Sequence, residues 1–262
     1  MDEQFRTSEI SDPAFESNNL RFITVKSKHL KGRGDICVFV PPVENLANVP
    51  LVILLHGVYG SAWAWSQKGG VHRTAWELMQ KGALQPMVIA MPSDGLWGDG
   101  SGYVPHHQLD FERWIVDDVP AAVQQHISMV SAQSPLFISG LSMGGFGALR
   151  LGLKYPEKFQ GISAHSSITH LDQMALFVEE NLTNHTKTDT HSVIGAVDKT
   201  TSTLPKIRFD CGTEDSLLEH NRALHKKMED QNIPHTYQEF SGGHDWSYWQ
   251  KQVVKTLLFF NE

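Results

Sequence analysis

The sequence predicts an α/β protein in which helices flank both faces of a mostly parallel, doubly wound sheet. Residues 51–55 and 87–91 are short apolar runs without polar alternation, as is typical of strands covered on both faces. The longer segment 110–128 carries Trp114, Ile115 and Val119 at helical spacing. Because such strands and helices alternate along the chain, a parallel sheet is favoured.

The other elements are bounded by turn residues or loops, beginning with two early strands separated by the turn Lys31-Gly32-Arg33-Gly34. Apart from the segment around Ser142 discussed below, we expect strands at residues 20–25, 36–40, 51–55, 87–91, 161–164, 207–211 and 236–240, and helices at residues 71–82, 110–128 and 248–260.

The length of 262 residues suits one α/β domain, and we expect a single domain over residues 1–262. A chain of this size buries roughly three quarters of its unfolded surface, so it needs neither a disulfide nor a metal to fold. A less regular, polar segment rich in His and Thr predicts an insertion at about residues 165–204.

Charge and composition limit the partners of the protein. Lys and Arg number 22 against 29 Asp and Glu, and the net charge of −7 argues against nucleic acid or an anionic membrane as partner. No apolar run approaches the ~18 residues of a membrane span. Residues 1–19 lack the apolar segment of a secretory signal, and Cys37 and Cys211 have no metal or redox spacing. We therefore expect a cytoplasmic protein with two free thiols.

The segment 135–150 is the most informative for chemistry. An apolar run at 136–138 leads into Gly140-Leu141-Ser142-Met143-Gly144, and a helix-forming segment follows at 146–153. This is the G-x-S-x-G nucleophile elbow of α/β-hydrolases, in which a strained turn projects the serine Oγ above the sheet. Glycines at 140, 144 and 145 leave no Cβ where strand and helix pass closely. The alternative is an ordinary Gly-rich turn in which Ser142 is a cap or a bystander.

A serine hydroxyl needs a base within hydrogen-bond reach, and the base needs an orienting acid. The chain order Ser, Asp or Glu, His selects His244, which lies in the Gly-rich loop just past the last predicted strand. His235 precedes that strand, at the wrong end, whereas His220 and His225 fall on a further helix expected to begin at Leu217.

The acid is expected in the loop after the strand at 207–211, and we assign it to Asp215. Glu214 and Asp210 are rivals, although Asp210 still lies within the strand. Asp215 could also cap the helix that follows it.

Acyl transfer also needs backbone donors aimed at the developing oxyanion. The N–H of Met143, directly after the nucleophile, is one expected donor, and the N–H of Val58 is the other. His56 precedes the serine in the chain, so we interpret it as a structural residue that bonds to loop carbonyls.

The assembled motifs resemble the putative-esterase family of α/β-hydrolases, which includes S-formylglutathione hydrolases, tributyrin esterases, feruloyl and acetylxylan esterases, and mycolyltransferases. The resemblance implies an α/β-hydrolase fold, a Ser142–Asp215–His244 triad and an oxyanion hole formed by Val58 and Met143. The matching pieces are residues 55–57, 111–115, 140–145, 211–215 and 243–246 with Trp249.

Together these features predict a serine carboxylesterase that hydrolyses short-chain acyl esters through an acyl-enzyme on Ser142. An S-formylglutathione-type thioesterase, a carbohydrate or feruloyl esterase and a transacylase use the same chemistry. A non-catalytic binding protein of the same fold is the alternative from another class. The expected partner is a small ester, and a homo-oligomer is possible.

Two aromatic residues in loops near the expected site, Trp63 and Trp97, are candidate substrate-binding residues, although either could instead cover the core. We expect no cofactor and no metal. The histidines do not form a convincing set of four zinc ligands: the pairs considered are His106 and His107 with Asp110, and His185 with His191.

Overall fold

The computed structural model describes residues 5–179, 191–198 and 203–262. The strands are Ser8–Ile10 (β1), Leu20–Ser27 (β2), Gly32–Phe39 (β3), Leu51–Leu55 (β4), Val88–Pro92 (β5), Pro105–His106 (β6), Leu109–Asp110 (β7), Leu136–Leu141 (β8), Gly161–His165 (β9), Lys206–Gly212 (β10) and Thr236–Phe240 (β11). The α-helices are Val71–Gln80 (α1), Phe111–Arg113 (α2), Val119–His126 (α3), Met143–Lys154 (α4), Val193–Asp198 (α5), Leu218–Asp230 (α6) and Trp246–Phe259 (α7).

Nine of these strands form one sheet in the order β1-β2-β3-β5-β4-β8-β9-β10-β11. From β5 to β11 in this order, all neighbours run parallel. The strands β1, β2 and β3 extend the sheet antiparallel at one edge. The mostly parallel sheet predicted from the sequence is thereby confirmed.

Helices cover both faces of the sheet, as the uninterrupted apolar strands predict. Along β4, Leu51, Ile53 and Leu55 face a core shared with α3, α4 and α6. Val52 and Leu54 point the other way, into a core shared with α1 and α7. This alternation follows from the two-residue period of a strand and makes the sheet doubly wound.

Some elements differ from the expectation in extent or were not expected. The strand β1 and the hairpin of β6 and β7 have only three and two residues per strand, too few for a periodic signal. The predicted helix at 110–128 is observed as α2 and α3 joined through a π-helical turn at Trp114–Asp118. Helix α7 begins two residues early because Asp245 Oδ1 accepts the Tyr248 N–H at 3.0 Å.

The parallel strands bring several loops to one edge of the sheet. Their carboxyl ends are followed by the loop after Leu55, by Ser142, and by the loops after His165, Gly212 and Phe240. Ligand and catalytic residues of open α/β sheets gather at this edge, which therefore positions the candidate site.

The single domain over 1–262 stays a prediction. Within the expected insertion at 165–204, a 3₁₀ turn at Leu171–Leu176 and helix α5 are described, whereas residues 180–190 and 199–202 lie outside the described part. In the described residues, no helix has the length and apolar character that crossing a membrane requires.

Replacement of Gly144 by alanine tests the packing of α4 against the sheet. An added Cβ would lie 2.3 Å from the Leu55 carbonyl oxygen, a backbone atom that cannot rotate away. We expect Gly144→Ala to lower the free energy of unfolding by ~1–3 kcal/mol in urea titrations. Gly32→Ala is the control, because its nearest neighbour would be the Leu30 carbonyl oxygen at 3.4 Å. Equal unfolding midpoints for the two variants would contradict this account.

Candidate active site

Ser142 occupies a strained turn between β8 and α4. Its backbone angles are φ 54° and ψ −119°, a positive φ that a residue with a Cβ seldom adopts. The Ser142 N–H donates to the His165 carbonyl at 3.0 Å, and the Ser142 carbonyl accepts the Phe146 N–H at 3.1 Å. These bonds hold the turn in place and agree with the nucleophile elbow expected from the sequence.

The glycines around Ser142 lie where the sequence requires the absence of a Cβ. A Cβ at Gly140 would come within 2.3 Å of the Gly144 carbonyl oxygen, and a Cβ at Gly145 would meet the Ser167 Cβ at 3.0 Å. Helix α4 begins at Met143 rather than near Phe146, so Gly144 and Gly145 lie in its first turn despite their low helix propensity. Close packing outweighs propensity at this point.

The structure brings Ser142, His244 and Asp215 into one hydrogen-bonded line. The Ser142 Oγ lies 2.9 Å from His244 Nε2, and His244 Nδ1 lies 2.9 Å from Asp215 Oδ2. A carboxylate only accepts, so Nδ1–H donates to Asp215 and Nε2 accepts the Ser142 proton. The serine is buried, whereas 19% of the His244 side chain is exposed.

The environment of Asp215 keeps its carboxyl group ionised. Burial by itself would raise the pKa of Asp215, but hydrogen bonds from the His244 ring and from the Leu217 N–H at 2.8 Å outweigh burial and lower it. The bond to Leu217 joins Asp215 to the start of α6, as the helix-capping alternative suggested, although Leu217 itself occupies the cap position.

The two rival acids point elsewhere. The exposed Glu214 accepts from the Ser241 hydroxyl at 3.2 Å. Asp210 is fully buried in β10, where its carboxylate lies 2.9 Å from His165 Nδ1 and 2.7 Å from the Tyr248 hydroxyl. His165, which sequence reasoning missed, ends the fully buried strand β9, and this titratable side chain at the end of a buried strand was the available signal.

The other histidines considered from the sequence have different partners. His235 Nε2 lies 2.8 Å from His225 Nδ1, between α6 and β11. His220 Nδ1 lies 3.1 Å from the side-chain nitrogen of Gln173. His56 Nδ1 bonds to the Gly57 carbonyl at 2.7 Å, and its Nε2 accepts the Asp94 N–H at 3.1 Å. Both ring nitrogens of His56 are thus used to fix its loop, in agreement with a structural role.

The loop after β4 lies directly against the elbow. A Cβ at Gly57 would stand 3.3 Å from the Ser142 Cβ. Val58 follows in this loop and lines the cavity in front of Ser142. Met143 opens α4, so its N–H has no acceptor within the helix. Val58 and Met143, the two residues predicted to supply oxyanion donors, therefore both lie beside the serine, and their role as donors stays a prediction.

A cavity of about 400 Å³ opens in front of Ser142 and His244. Trp63 lines it and is 50% exposed, as a substrate-binding residue should be. Trp97 is not among the described residues that line it, because its ring stacks on His107 with centroids 4.9 Å apart. Most of the wall is apolar or aromatic, and it includes Val58, Tyr59, Trp63, Leu141, Phe177, Trp246 and Trp249.

The residues considered for metal binding have other contacts. His106 Nδ1 lies 3.0 Å from His107 Nδ1, and Asp110 caps helix α2 by accepting the Arg113 N–H. His185 lies outside the described residues. Across 5–179, 191–198 and 203–262, no group of three or more His, Cys, Asp or Glu side chains could hold a metal ion.

Comparison with known proteins identifies the family. The family model described as putative esterase matches residues 27–260. The chain belongs to the putative esterase family. The acetyl esterase of Caldicellulosiruptor saccharolyticus is 27% identical to this esterase in an alignment of 230 residues that covers 80% of this chain and 82% of that protein.

Solved structures confirm the α/β-hydrolase fold of this esterase. An S-formylglutathione hydrolase from Staphylococcus aureus has a TM-score of 0.79 at 17% identity, covering 97% of this chain and 100% of its own. A ferulic acid esterase from Anaeromyces mucronatus has a TM-score of 0.72 at 18% identity, covering 98% of this chain and 94% of its own. The match to the putative esterase family makes the chain a carboxylic ester hydrolase, which confirms the predicted enzyme class.

Replacement of Asp215 separates the candidate acids. Asp215→Asn removes the charge that orients His244, and we expect kcat for p-nitrophenyl acetate to fall about 10⁴-fold with the fold retained. Glu214→Gln, the neighbouring substitution, should leave kcat within about twofold because the Glu214 carboxylate bonds to the Ser241 hydroxyl, whereas His244 Nδ1 bonds to Asp215. A comparable loss of kcat in Glu214→Gln would instead assign the orienting acid to Glu214.

Proposed function

We propose that the chain hydrolyses short-chain acyl esters through an acyl-enzyme on Ser142. The observation that carries this proposal is the continuous hydrogen-bonded line from Ser142 through His244 to Asp215, with 2.9 Å at both steps. A nucleophile, a base and an orienting acid in this geometry are what acyl transfer at neutral pH requires.

In the first step, Ser142 Oγ attacks the ester carbonyl carbon while its proton moves to His244 Nε2. The C–O bond to the leaving alcohol then breaks, and His244 returns the proton to that oxygen. Asp215, whose pKa is lowered by its hydrogen bonds despite burial, stays ionised and stabilises the imidazolium. The acyl group is left on Ser142.

In the second step, water attacks the acyl carbon while its proton moves to His244 Nε2. The bond between that carbon and Ser142 Oγ then breaks, His244 returns the proton to Oγ, and the carboxylic acid leaves. Negative charge develops on the same carbonyl oxygen in both steps. The N–H groups of Val58 and Met143 are the proposed donors to that oxygen, and loss of one such donor typically costs ~10²–10³ in turnover. No step requires a cofactor.

The apolar wall and moderate size of the cavity support a small ester as substrate. A volume of about 400 Å³ is at the lower end of the range for small-molecule sites, which favours a short acyl group with a small alcohol. Trp63 is our proposed substrate-binding residue, and Trp97 is left out of the pocket because it stacks on His107. The names of the relatives include acetyl, formylglutathione and ferulic acid esters, so a panel of these three ester types identifies the acyl group.

The expected cytoplasmic location stays part of this proposal. Cys37 and Cys211 are both free thiols, as is usual for proteins of a reducing compartment. Assembly as a homo-oligomer stays a prediction from the sequence.

Replacement of Ser142 by alanine tests the acyl-enzyme. We expect kcat for p-nitrophenyl acetate to fall by about 10⁶-fold, since the nucleophile and its base act as a unit. Ser139→Ala is the matched control: Ser139 lies three residues earlier in β8, fully buried and without a hydrogen-bond partner in the described structure. Intact-protein mass spectrometry during turnover should show one added acetyl group on the wild type and none on Ser142→Ala. Equal rates of p-nitrophenyl acetate hydrolysis in Ser142→Ala and Ser139→Ala would contradict an acyl-enzyme on Ser142 and favour a non-catalytic binding protein.

Replacement of Trp63 by alanine tests the pocket. Removal of this wall should raise KM for butanoyl and hexanoyl p-nitrophenyl esters about tenfold, equivalent to ~1.4 kcal/mol of apolar contact, with a smaller effect on acetyl esters. Trp97→Ala, measured at a temperature where both variants are folded, should leave KM unchanged. A larger KM change in Trp97→Ala would restore that residue to the pocket and contradict this assignment.

A further inference from the structure

A second aspartate–histidine pair lies buried beside the candidate active site and has no part in the proposed reaction. It consists of Asp210 and His165, both fully buried. We define the buried polar cluster as this pair, the three side chains bonded to it (Arg208, Tyr248 and Thr256), and Ser163, which bonds to Arg208 and Thr256. Each of these four added residues is at most 3% exposed.

Hydrogen bonds connect all members of the buried polar cluster. Asp210 accepts from Arg208 Nη2 at 2.7 Å, and the Thr256 hydroxyl lies 2.8 Å from His165 Nε2. Ser163 Oγ lies 2.6 Å from Thr256 Oγ1, and Arg208 Nη1 donates to both hydroxyls at 3.2 Å and 3.3 Å. Buried polar networks satisfied in this way hold their members in one arrangement.

On one side the cluster reaches the nucleophile. His165 ends β9, where it pairs with Leu141 of β8, and its carbonyl accepts the N–H of Ser142 at 3.0 Å. The residue that holds the strained Ser142 backbone is therefore itself held through both ring nitrogens, by Asp210 and by Thr256.

On the other side the cluster reaches the loop that carries His244. The Tyr248 hydroxyl donates to Asp210 Oδ1 at 2.7 Å, and the Tyr248 N–H donates to Asp245, directly after His244. The Tyr248 ring also packs on Gly242, where a Cβ would come within 2.7 Å of the ring. A shift of Tyr248 would thus shift both ends of the loop around His244.

The cluster contains buried charged side chains at a place where apolar side chains could pack equally well. Burial raises the pKa of Asp210, but the neighbouring His165 and Arg208 outweigh burial and lower it, so the carboxyl group is ionised. Well-packed apolar side chains often match or exceed the stability of such buried ion pairs, whose best-attested benefit is a fixed arrangement. The buried charges of the cluster are therefore best explained by a role in fixing the arrangement of the residues around them.

We propose that Tyr248, Asp210 and His165 are positioning residues that set the distance between Ser142 and His244. None of them touches the substrate cavity; they act through the Ser142 backbone and the His244 loop. The inference rests on the proposed function, because it concerns the rate of acyl transfer from Ser142.

Tyr248→Phe removes one hydroxyl and leaves the ring on Gly242. We expect kcat for p-nitrophenyl acetate to fall about 10-fold to 100-fold with KM unchanged, as small misplacements of reacting groups do. The low-field proton NMR signal of His244 Nδ1–H should broaden or move, since the His244–Asp215 bond loses its fixed geometry.

Tyr155→Phe is the matched control. The Tyr155 hydroxyl also donates to a buried carboxylate, Glu112, which is likewise paired with an arginine, Arg150, at 2.6 Å. This second cluster joins α4 to α2, and Tyr155 does not line the substrate cavity. Tyr155→Phe should match the loss of unfolding free energy in Tyr248→Phe but keep kcat and the His244 proton signal of the wild type.

A second pair of variants tests the side of the cluster that faces Ser142. Thr256→Val keeps the shape but removes the hydroxyl on His165 Nε2, whereas Thr256→Ser keeps that hydroxyl. We expect Thr256→Val to lower kcat at unchanged KM, whereas Thr256→Ser should keep the kcat of the wild type. The position lies near the end of α7 and lines none of the substrate cavity.

The outcomes separate this inference from the proposed function. If Ser142→Ala abolishes hydrolysis while Tyr248→Phe and Thr256→Val keep wild-type kcat, the positioning role is wrong and the esterase mechanism stands. Equal kcat losses in Tyr248→Phe and Tyr155→Phe would reduce the effect to general stability and also overturn it. A rise in KM alone would assign Tyr248 to substrate binding instead.

Discussion

The close approach of helix α4 to the sheet at Ser142 is the constraint on which the rest of the site depends. Only glycine at 140 and 144 lets the first turn of α4 reach the backbone of β4 and β8. This approach forces Ser142 into a positive φ, raises its hydroxyl above the sheet edge, and places the free N–H of Met143 beside it. The strain is held by backbone bonds to His165 and Phe146.

Two aspartate–histidine pairs lie near this turn, and they differ in their surroundings and in their proposed roles. Asp210 and His165 are register partners on adjacent parallel strands, so their side chains share one face and are sealed beneath α7. Asp215 and His244 lie on loops beyond the strand ends, where the imidazole reaches both Ser142 and the cavity. We infer that the buried pair Asp210–His165 keeps the site rigid, whereas the pair Asp215–His244 takes part in the proton transfers of the reaction.

The positions of the parallel strands, the elbow and the loop that bears His244 were predictable, because each depends on local pattern and chain order. The sequence favoured Asp215 as the acid but left Asp210 and Glu214 as rivals, since three acids within six positions differ mainly in where their side chains point. The tryptophans show the same limit: Trp63 and Trp97 both lie in loops, but only the folded chain stacks Trp97 on His107 and leaves Trp63 at the cavity.

The sequence by itself determined the α/β class, the G-x-S-x-G turn and the order of serine, acid and base, because apolar periodicity and glycine spacing act over a few residues. Only the tertiary structure decided that Asp215 rather than Asp210 faces His244, and that a buried polar cluster ties the Ser142 turn to the His244 loop. These contacts join residues as far as 102 positions apart, as Ser142 and His244 are. Such contacts arise from strand register and helix packing, for which short-range pattern carries no signal.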